Sequence, residues 1–193
     1  MAYTLQIGDK APSFTNILAT DGKKYSLGSI NLKAFTVIFF TCNHCPYVTG
    51  SDELTRKLAN QFSDKVSFIG INSNSANTYP EDAYDRMKDR MEQHSFPWLY
   101  LHDCSQSLAT AYGALKTPHF YLFNEDLLLV YNGRSVDTPR DTSKRTTNDL
   151  QDAIRQAISG NNIDVQVTNP IGCNIKWEGK PSHWMPVEAC DLV

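Results

Sequence analysis

The sequence lacks the features that mark membrane-embedded, secreted and nucleic-acid-binding proteins. No apolar run among its 193 residues approaches the roughly 20 residues that cross a bilayer. Its net charge of −3 gives no electrostatic attraction to nucleic acid or to an anionic membrane. Residues 1–6 lack the basic start and the apolar core of a secretory signal. We therefore expect a cytoplasmic protein, although an exported chain that has lost its signal would look similar.

Cysteine is also sparse, with five residues that are too few and too scattered for a disulfide scaffold. In a cytosolic protein, a close pair of cysteines is more often catalytic or metal-binding than structural. The 41% hydrophobic content is enough for one good core. We predict one domain at 1–160, with a C-terminal extension at 161–193 packed on it. The extension keeps Trp177 and Trp184 and is not depleted in apolar residues as disordered segments are.

The order of predicted elements indicates an α/β protein with a mixed central sheet flanked by helices and an N-terminal hairpin extension. Apolar runs and turn signals predict these elements in chain order: a hairpin within 7–33, a strand at 34–41, a helix after residue 45, a strand at 66–71, a helix at 80–94, a strand at 96–101, a helix at 105–112, strands at 119–123 and 127–131, and a helix at 148–158. With two cysteines at the first strand-to-helix turn, this order matches the thioredoxin fold.

The most informative motif is Cys42-Asn43-His44-Cys45, which lies where an apolar run ends and a helical pattern begins. Two cysteines three residues apart at a helix N-terminus can close a disulfide. The positive end of the helix and its unpaired N–H groups favour the thiolate over the thiol. We therefore predict a redox centre, with Cys42 as the more exposed nucleophile and Cys45 as the resolving thiol one turn further in.

Further stretches resemble the thioredoxin-like superfamily, on the branch shared by peroxiredoxins and membrane-tethered reductases. Residues 8–14 resemble the entry segment of these redoxins, and residues 113–118 resemble the loop that carries their cis-proline. Three segments are similar to bacterial peroxiredoxin-like proteins of the thioredoxin family: CNHCPYV at 42–48, INSN at 71–74 and GCNIKW at 172–177. The resemblance covers residues 5–180. It implies a thioredoxin fold and a redox activity, without supplying a substrate.

The resemblance also implies roles for residues around the cysteine pair. Superfamily enzymes that oxidise or shuffle disulfides carry a histidine at the place of His44, where it stabilises the Cys42 thiolate. The peptide bond between Thr117 and Pro118 is expected to be cis, which would turn the Thr117 backbone toward an extended peptide. Lys116 stands just before that loop, where relatives often carry a cysteine, and is a candidate for polarising the thiolates.

One departure from the family patterns and one candidate residue bear on a peroxidase activity. Peroxiredoxins carry a threonine three residues before their reactive cysteine, whereas Thr41 directly precedes Cys42 and lies four residues before Cys45. Arg134 is a candidate for a peroxide pocket, with a solvated arginine at a strand end as the alternative. The preferred hypothesis is a thiol–disulfide oxidoreductase. A peroxidase in which Cys45 resolves the Cys42 sulfenate, and a non-enzymatic redox sensor or binding module, stay open.

The remaining cysteines and the partners complete the predictions. Cys173 is either a third redox thiol that returns to the active site or a packed structural cysteine. Cys104 is expected to be buried or incidental, and Cys190 to be an exposed free thiol. Two cysteines supply only half of the four ligands of a structural zinc site, so we expect no metal and no other cofactor. The expected partners are a disulfide-bearing protein or a peroxide, with thioredoxin or a small thiol as the reductant.

Overall fold

A seven-stranded mixed sheet forms the centre of the protein. The computed structural model describes residues 3–192, except for the side chains of 190–192, so the expectation for the Cys190 thiol lies outside the described residues. The strands are β1 (Ile17–Ala19), β2 (Lys24–Tyr25), β3 (Phe35–Phe40), β4 (Val66–Asn72), β5 (Leu99–His102), β6 (Lys116–Thr117), β7 (His119–Phe123), β8 (Leu129–Gly133) and β9 (Cys173–Asn174). The α-helices are α1 (Pro46–Gln61), α2 (Tyr84–His94), α3 (Ser107–Tyr112) and α4 (Asp149–Ile158).

The strand order of the large sheet is β2-β1-β5-β4-β3-β7-β8. Strand β4 pairs parallel with both β3 and β5. The other four pairs of this sheet, β2–β1, β1–β5, β3–β7 and β7–β8, are antiparallel. Strands β6 and β9 form a separate two-stranded antiparallel sheet. The predicted α/β class with a mixed central sheet is confirmed. None of the helices within the described residues is long and apolar enough to cross a membrane.

Strand β3 is buried on both faces, as its apolar sequence requires for a central strand. Val37 and Phe39 face the core that contains residues of α1, α2 and α4. Ile38 and Phe40 face the opposite core, which contains residues of α3 and of the N-terminal hairpin. Because side chains alternate along a strand, one apolar run serves both cores. Its carboxyl end therefore gives residues 41–45 a fixed starting point.

The predicted helix at 80–94 is interrupted near its start. A short 3-10 turn covers Pro80–Asp82, and α2 begins only at Tyr84 because Ala83 has an extended backbone with φ −60° and ψ 150°. This break lets the Asp82 side chain point inward, where it is fully buried. A continuous helix was the wrong prediction, because the polar contacts of Asp82 outweigh the helical pattern.

The C-terminal extension contributes β9, which pairs antiparallel with β6 in the register Lys116↔Asn174 and Thr117↔Cys173. Ile175 is buried in the core that contains α3. Further along, the rings of Trp177 and Trp184 pack edge to face at a centroid distance of 6.1 Å. The segment around β9 thus contacts the domain through both backbone and side chains.

The loop between β6 and β7 is held by a buried histidine. The Thr117–Pro118 peptide bond is cis, as predicted. The next residue, His119, accepts the Leu115 N–H at Nδ1 (3.3 Å), and its Nε2 lies 2.7 Å from Asn132 Oδ1. This arrangement assigns the proton of a neutral ring to Nε2. Burial lowers the His119 pKa to about 4, although the bond to Asn132 acts in the opposite direction.

We expect stability to fall as the pH drops from 6.5 to about 4, because the unfolded state then binds a proton that the folded state excludes. The His119 contribution is fully present above pH 6.5 and amounts to roughly 3 kcal/mol. Urea unfolding at pH 7 and pH 4.5 measures this difference. H119Q should flatten the pH dependence, whereas H183Q, at an exposed histidine, should leave it unchanged. Equal slopes for H119Q and the parent would contradict the assignment.

Candidate active site

Cys42 and Cys45 are brought together by the turn between β3 and α1. Cys45 is the N-cap residue of α1, and Pro46 occupies the first helical position, where its missing N–H costs nothing. The side chains of the two cysteines contact each other together with Val48. Both cysteines are free thiols in the structure. The predicted cysteine pair at the mouth of the first long helix is therefore present.

Thr117 faces both sulfur atoms from the cis-proline loop. Its Oγ1 lies 3.3 Å from Cys42 Sγ, and its carbonyl oxygen accepts a hydrogen bond of 3.2 Å from the Cys45 thiol. Cys42 and Cys45 have exposed fractions of 0%. The prediction that Cys42 is the exposed member of the pair is wrong, because Thr117 covers it from the loop and Asp82 lies on another side.

Cys173 joins the pair from the C-terminal extension. It lies opposite Thr117 in the β6–β9 register and packs against the group that contains Cys42 and Cys45. Its thiol is within hydrogen-bonding reach of Cys45. The structure thus gathers three thiols, with Cys45 in contact with both of the others.

The contacts of Cys42 and Cys45 shift their pKa values in opposite directions. Hydrogen bonds from the thiols of Cys173 and Cys42 lower the Cys45 pKa well below its usual range, and the Val48 N–H at the helix start acts in the same direction. Burial raises the Cys42 pKa, as do its bond to Cys45 and the Asp82 charge. These directions oppose the thiolate that the sequence predicts at Cys42.

His44 contacts Asp82. Its Nδ1 lies 2.7 Å from Asp82 Oδ2, and its ring stacks on Tyr79 at a centroid distance of 4.3 Å. Asp82 also accepts hydrogen bonds from three other groups: the Asn43 N–H (2.6 Å), Asn72 Nδ2 (3.2 Å) and Asn74 Nδ2 (2.8 Å). Burial would raise the Asp82 pKa, but the contact with His44 and these donors outweigh it and the pKa is lowered. A buried carboxylate thus fixes the backbone between the two cysteines.

Cys42, His44 and Asp82 each place one potential metal-ligand atom within 4.8 Å of the others. Both carboxylate oxygens of Asp82 already accept hydrogen bonds from protein donors. A cation at this place would have to displace those donors. The arrangement therefore fits an internal polar network better than an open metal site.

The other predicted site residues lie in different surroundings. The Thr41 N–H donates to Ile71 O (2.9 Å), so Thr41 extends the pairing at the end of β3. Arg134 Nε bonds Asp149 Oδ2 at 2.8 Å, and the described contacts of the two sulfurs do not include Arg134, which gives no support to a peroxide pocket there. Cys104 is exposed. Lys116 Nζ donates to Asn174 Oδ1 (2.8 Å) on the strand that carries Cys173.

Asp82 is the residue that the sequence analysis missed. In the sequence it follows a proline and another acid at the start of a helical pattern, which is the ordinary place for an exposed helix-capping charge. The clustered amides of INSN at 71–74 were the available signal, since Asn72 and Asn74 both donate to Asp82. The sequence alone does not show that the segment with Asn72 and Asn74 lies against the turn that carries Asp82.

The protein is a redox protein with the thioredoxin fold. The cysteine pair, the cis-proline opposite it and the mixed sheet together define this class. The Redoxin family model matches residues 6–151. The chain therefore belongs to the redoxin family. No match was found among the curated proteins.

Two solved structures resemble the chain over nearly its whole length. An uncharacterized conserved protein from Geobacillus kaustophilus is 36% identical, with 91% of this chain and 94% of that chain covered and a TM-score of 0.84. A hypothetical protein from Sinorhizobium meliloti 1021 is 30% identical, with 92% and 97% covered and a TM-score of 0.85. The thioredoxin domain of a thiol-disulfide oxidoreductase from Bacteroides vulgatus shares the fold, at 19% identity, 73% and 97% coverage and a TM-score of 0.58.

Opposite shifts of the Cys42 pKa should follow from changes to the His44–Asp82 contact. D82N removes the nearby negative charge that raises the Cys42 pKa, so the pKa should fall. H44A removes the His44 contact that partly offsets that charge, so the pKa should rise. The ultraviolet absorbance of the thiolate, followed against pH in a C45S/C173S background, measures the shift. E81Q alters a neighbouring exposed carboxylate as the control. A D82N shift no larger than that of E81Q would refute the assignment.

Proposed function

We propose that the protein is a thiol–disulfide oxidoreductase that works through Cys42 and Cys45. The observation that carries this proposal is the contact between two free thiols at the N-terminus of α1, both facing Thr117. Membership of the redoxin family supports it. The substrates are disulfides on proteins or small molecules, and a small thiol or thioredoxin returns the pair to the dithiol.

The charge distribution supports an order of steps for the reduced protein. Cys45 first loses to solvent the proton that it donates to the Thr117 carbonyl oxygen, and its thiolate then takes the proton of Cys42. Cys42 Sγ attacks a substrate disulfide, which breaks the substrate S–S bond and releases one substrate thiolate. Cys45 then loses its proton to that thiolate and attacks Cys42 Sγ. The second substrate thiolate leaves, and the Cys42–Cys45 disulfide holds the oxidation. In the mixed disulfide Cys42 no longer donates to Cys45, but Cys173 and the Val48 N–H still lower the Cys45 pKa and favour the second attack.

A large substrate reaches the sulfurs only after their cover moves, since both are fully buried. The β6–β9 sheet, which is part of this cover, consists of only two residue pairs, so few backbone bonds break when it is displaced. Displacing it uncovers Thr117 as an unpaired strand edge. Such an edge binds extended peptides by strand addition, which supports a cysteine-containing polypeptide as substrate.

The peroxidase alternative has less support than disulfide exchange. Arg134, the candidate for the peroxide pocket, is paired with Asp149. The Asp82 carboxylate raises the Cys42 pKa, which opposes a peroxide-reactive thiolate there. The expected cytoplasmic location stays a prediction.

Turnover in the reduction of a peptide or insulin disulfide should be lost in both C42S and C45S, because each removes one of the two sulfurs that the exchange needs. C104S changes an exposed cysteine outside the site and is the matched control. Equilibration with glutathione gives the reduction potential of the Cys42–Cys45 pair. A value of about −270 mV indicates a reductant, and a value of about −120 mV indicates an oxidant. Full activity of C42S would overturn the proposed function.

A further inference from the structure

Cys45 has two alternative disulfide partners within reach. Its sulfur contacts Cys42, three residues before it in the same turn, and Cys173, which the extension brings from the opposite side. The carbonyl oxygen of Thr117 bonds Cys45 Sγ, and Thr117 is also the register partner of Cys173. One residue therefore sets the position of both thiols. A cysteine that only filled space in the core would not lie beside two other thiols in this way.

We propose that Cys173 is a third redox thiol, which accepts the disulfide from the Cys42–Cys45 pair and forms a Cys45–Cys173 disulfide. This inference rests on the proposed function, because that reaction supplies the Cys42–Cys45 disulfide. It assigns the C-terminal extension a catalytic part in the exchange, beyond covering the site.

The step needs no further oxidant. Cys173 Sγ, as a thiolate, attacks Cys45 Sγ, which forms the Cys45–Cys173 bond and breaks the Cys42–Cys45 bond. Cys42 leaves as a thiolate and takes up the proton that Cys173 has lost. The protein stays oxidised by two electrons throughout. After the step Cys42 is a free thiol again, so the oxidised protein keeps a nucleophile at the end of β3.

Two ammonium groups lie on the side of Cys173. In the reduced protein, the bond to Cys45 raises the Cys173 pKa, together with burial and the Cys45 charge, whereas Lys176 and Lys116 act to lower it. Once Cys45 is part of a disulfide its negative charge is gone. The attraction of Lys116 and Lys176 for a thiolate then remains. Oxidation of the first pair thus prepares Cys173 for attack.

The backbone around Cys173 is held in place on both sides. Gly172 approaches Thr117 so closely that a Cβ there would lie 2.1 Å from the Thr117 carbonyl oxygen. On the other side, the Ile175 N–H donates to Leu115 O (3.2 Å), and the Lys176 N–H donates to Asn74 Oδ1 (2.9 Å). The Cys173 thiol is therefore positioned by the fold, as a reaction within the protein requires.

Peptide mapping tests the relay. Trypsin leaves Cys42 and Cys45 together in residues 34–56 and Cys173 in residues 156–176. The protein is equilibrated with oxidised and reduced glutathione, and its free thiols are then blocked with N-ethylmaleimide. After digestion, the masses of the peptides are measured by mass spectrometry. The relay predicts a disulfide cross-link between these two peptides in the parent, and its enrichment in C42S and in C42A. C173S should lose the cross-link, and C104S should keep it.

The position of Cys173 is tested separately by G172A, whose added Cβ meets the Thr117 carbonyl oxygen. We expect G172A to lose most of the cross-link while the disulfide within residues 34–56 still forms. G28A is the matched control, because a Cβ at that glycine meets nothing within 4 Å. Unchanged cross-linking in G172A would overturn the assigned position of Cys173.

The outcomes separate this inference from the proposed function. If C42S and C42A are folded by circular dichroism but show only glutathione adducts on Cys45 and Cys173, the relay is wrong. Turnover by the parent in the same buffer would then leave the proposed function standing. If neither the cross-link nor any turnover appears, both are overturned.

Discussion

The antiparallel pairing of Lys116–Thr117 with Cys173–Asn174 is the contact on which the candidate site depends. It fixes Thr117 between two strands, and Thr117 in turn faces both sulfurs of the first pair. It also carries a third sulfur from the far end of the chain to the same place. Short sheets contribute little stability by themselves. This one is supported by Ile175, which is buried in the core beside α3, and by the Lys116 bond to Asn174.

Negative charge is distributed unevenly around the three sulfurs. The Asp82 carboxylate holds His44 and the Asn43 N–H, and its charge opposes ionisation of Cys42. The donors that stabilise a thiolate meet at Cys45 instead. A buried carboxylate is tolerated here because four protein groups contact it. The contacts of Asp82 therefore order the backbone between the cysteines, and its charge raises the Cys42 pKa.

Local features of the site were predictable from the sequence, and long-range ones were not. The apolar run before Cys42 predicted β3, and the proline after Cys45 fits the start of α1 that the helical pattern predicted. The resemblance of 113–118 to the cis-proline loop gave the Thr117–Pro118 geometry. The burial of Cys42 was missed because it depends on Thr117 and Asp82, which lie on other segments. The sequence left the place of Cys173 open, since a two-residue strand such as β9 has no periodic pattern of its own.

The paired indoles of Trp177 and Trp184 give the extension an optical property. They lie on the segment that follows β9, and the Lys180 ammonium lies 5.1 Å from the Trp184 ring centroid. The third tryptophan, Trp98, stacks on Phe96 in the core on the other face of the sheet. Indole fluorescence responds to nearby polar groups and to solvent, so the emission of two of the three tryptophans reports on the environment of this segment. Trp177 and Trp184 are thus an intrinsic fluorescence probe of the segment next to Cys173.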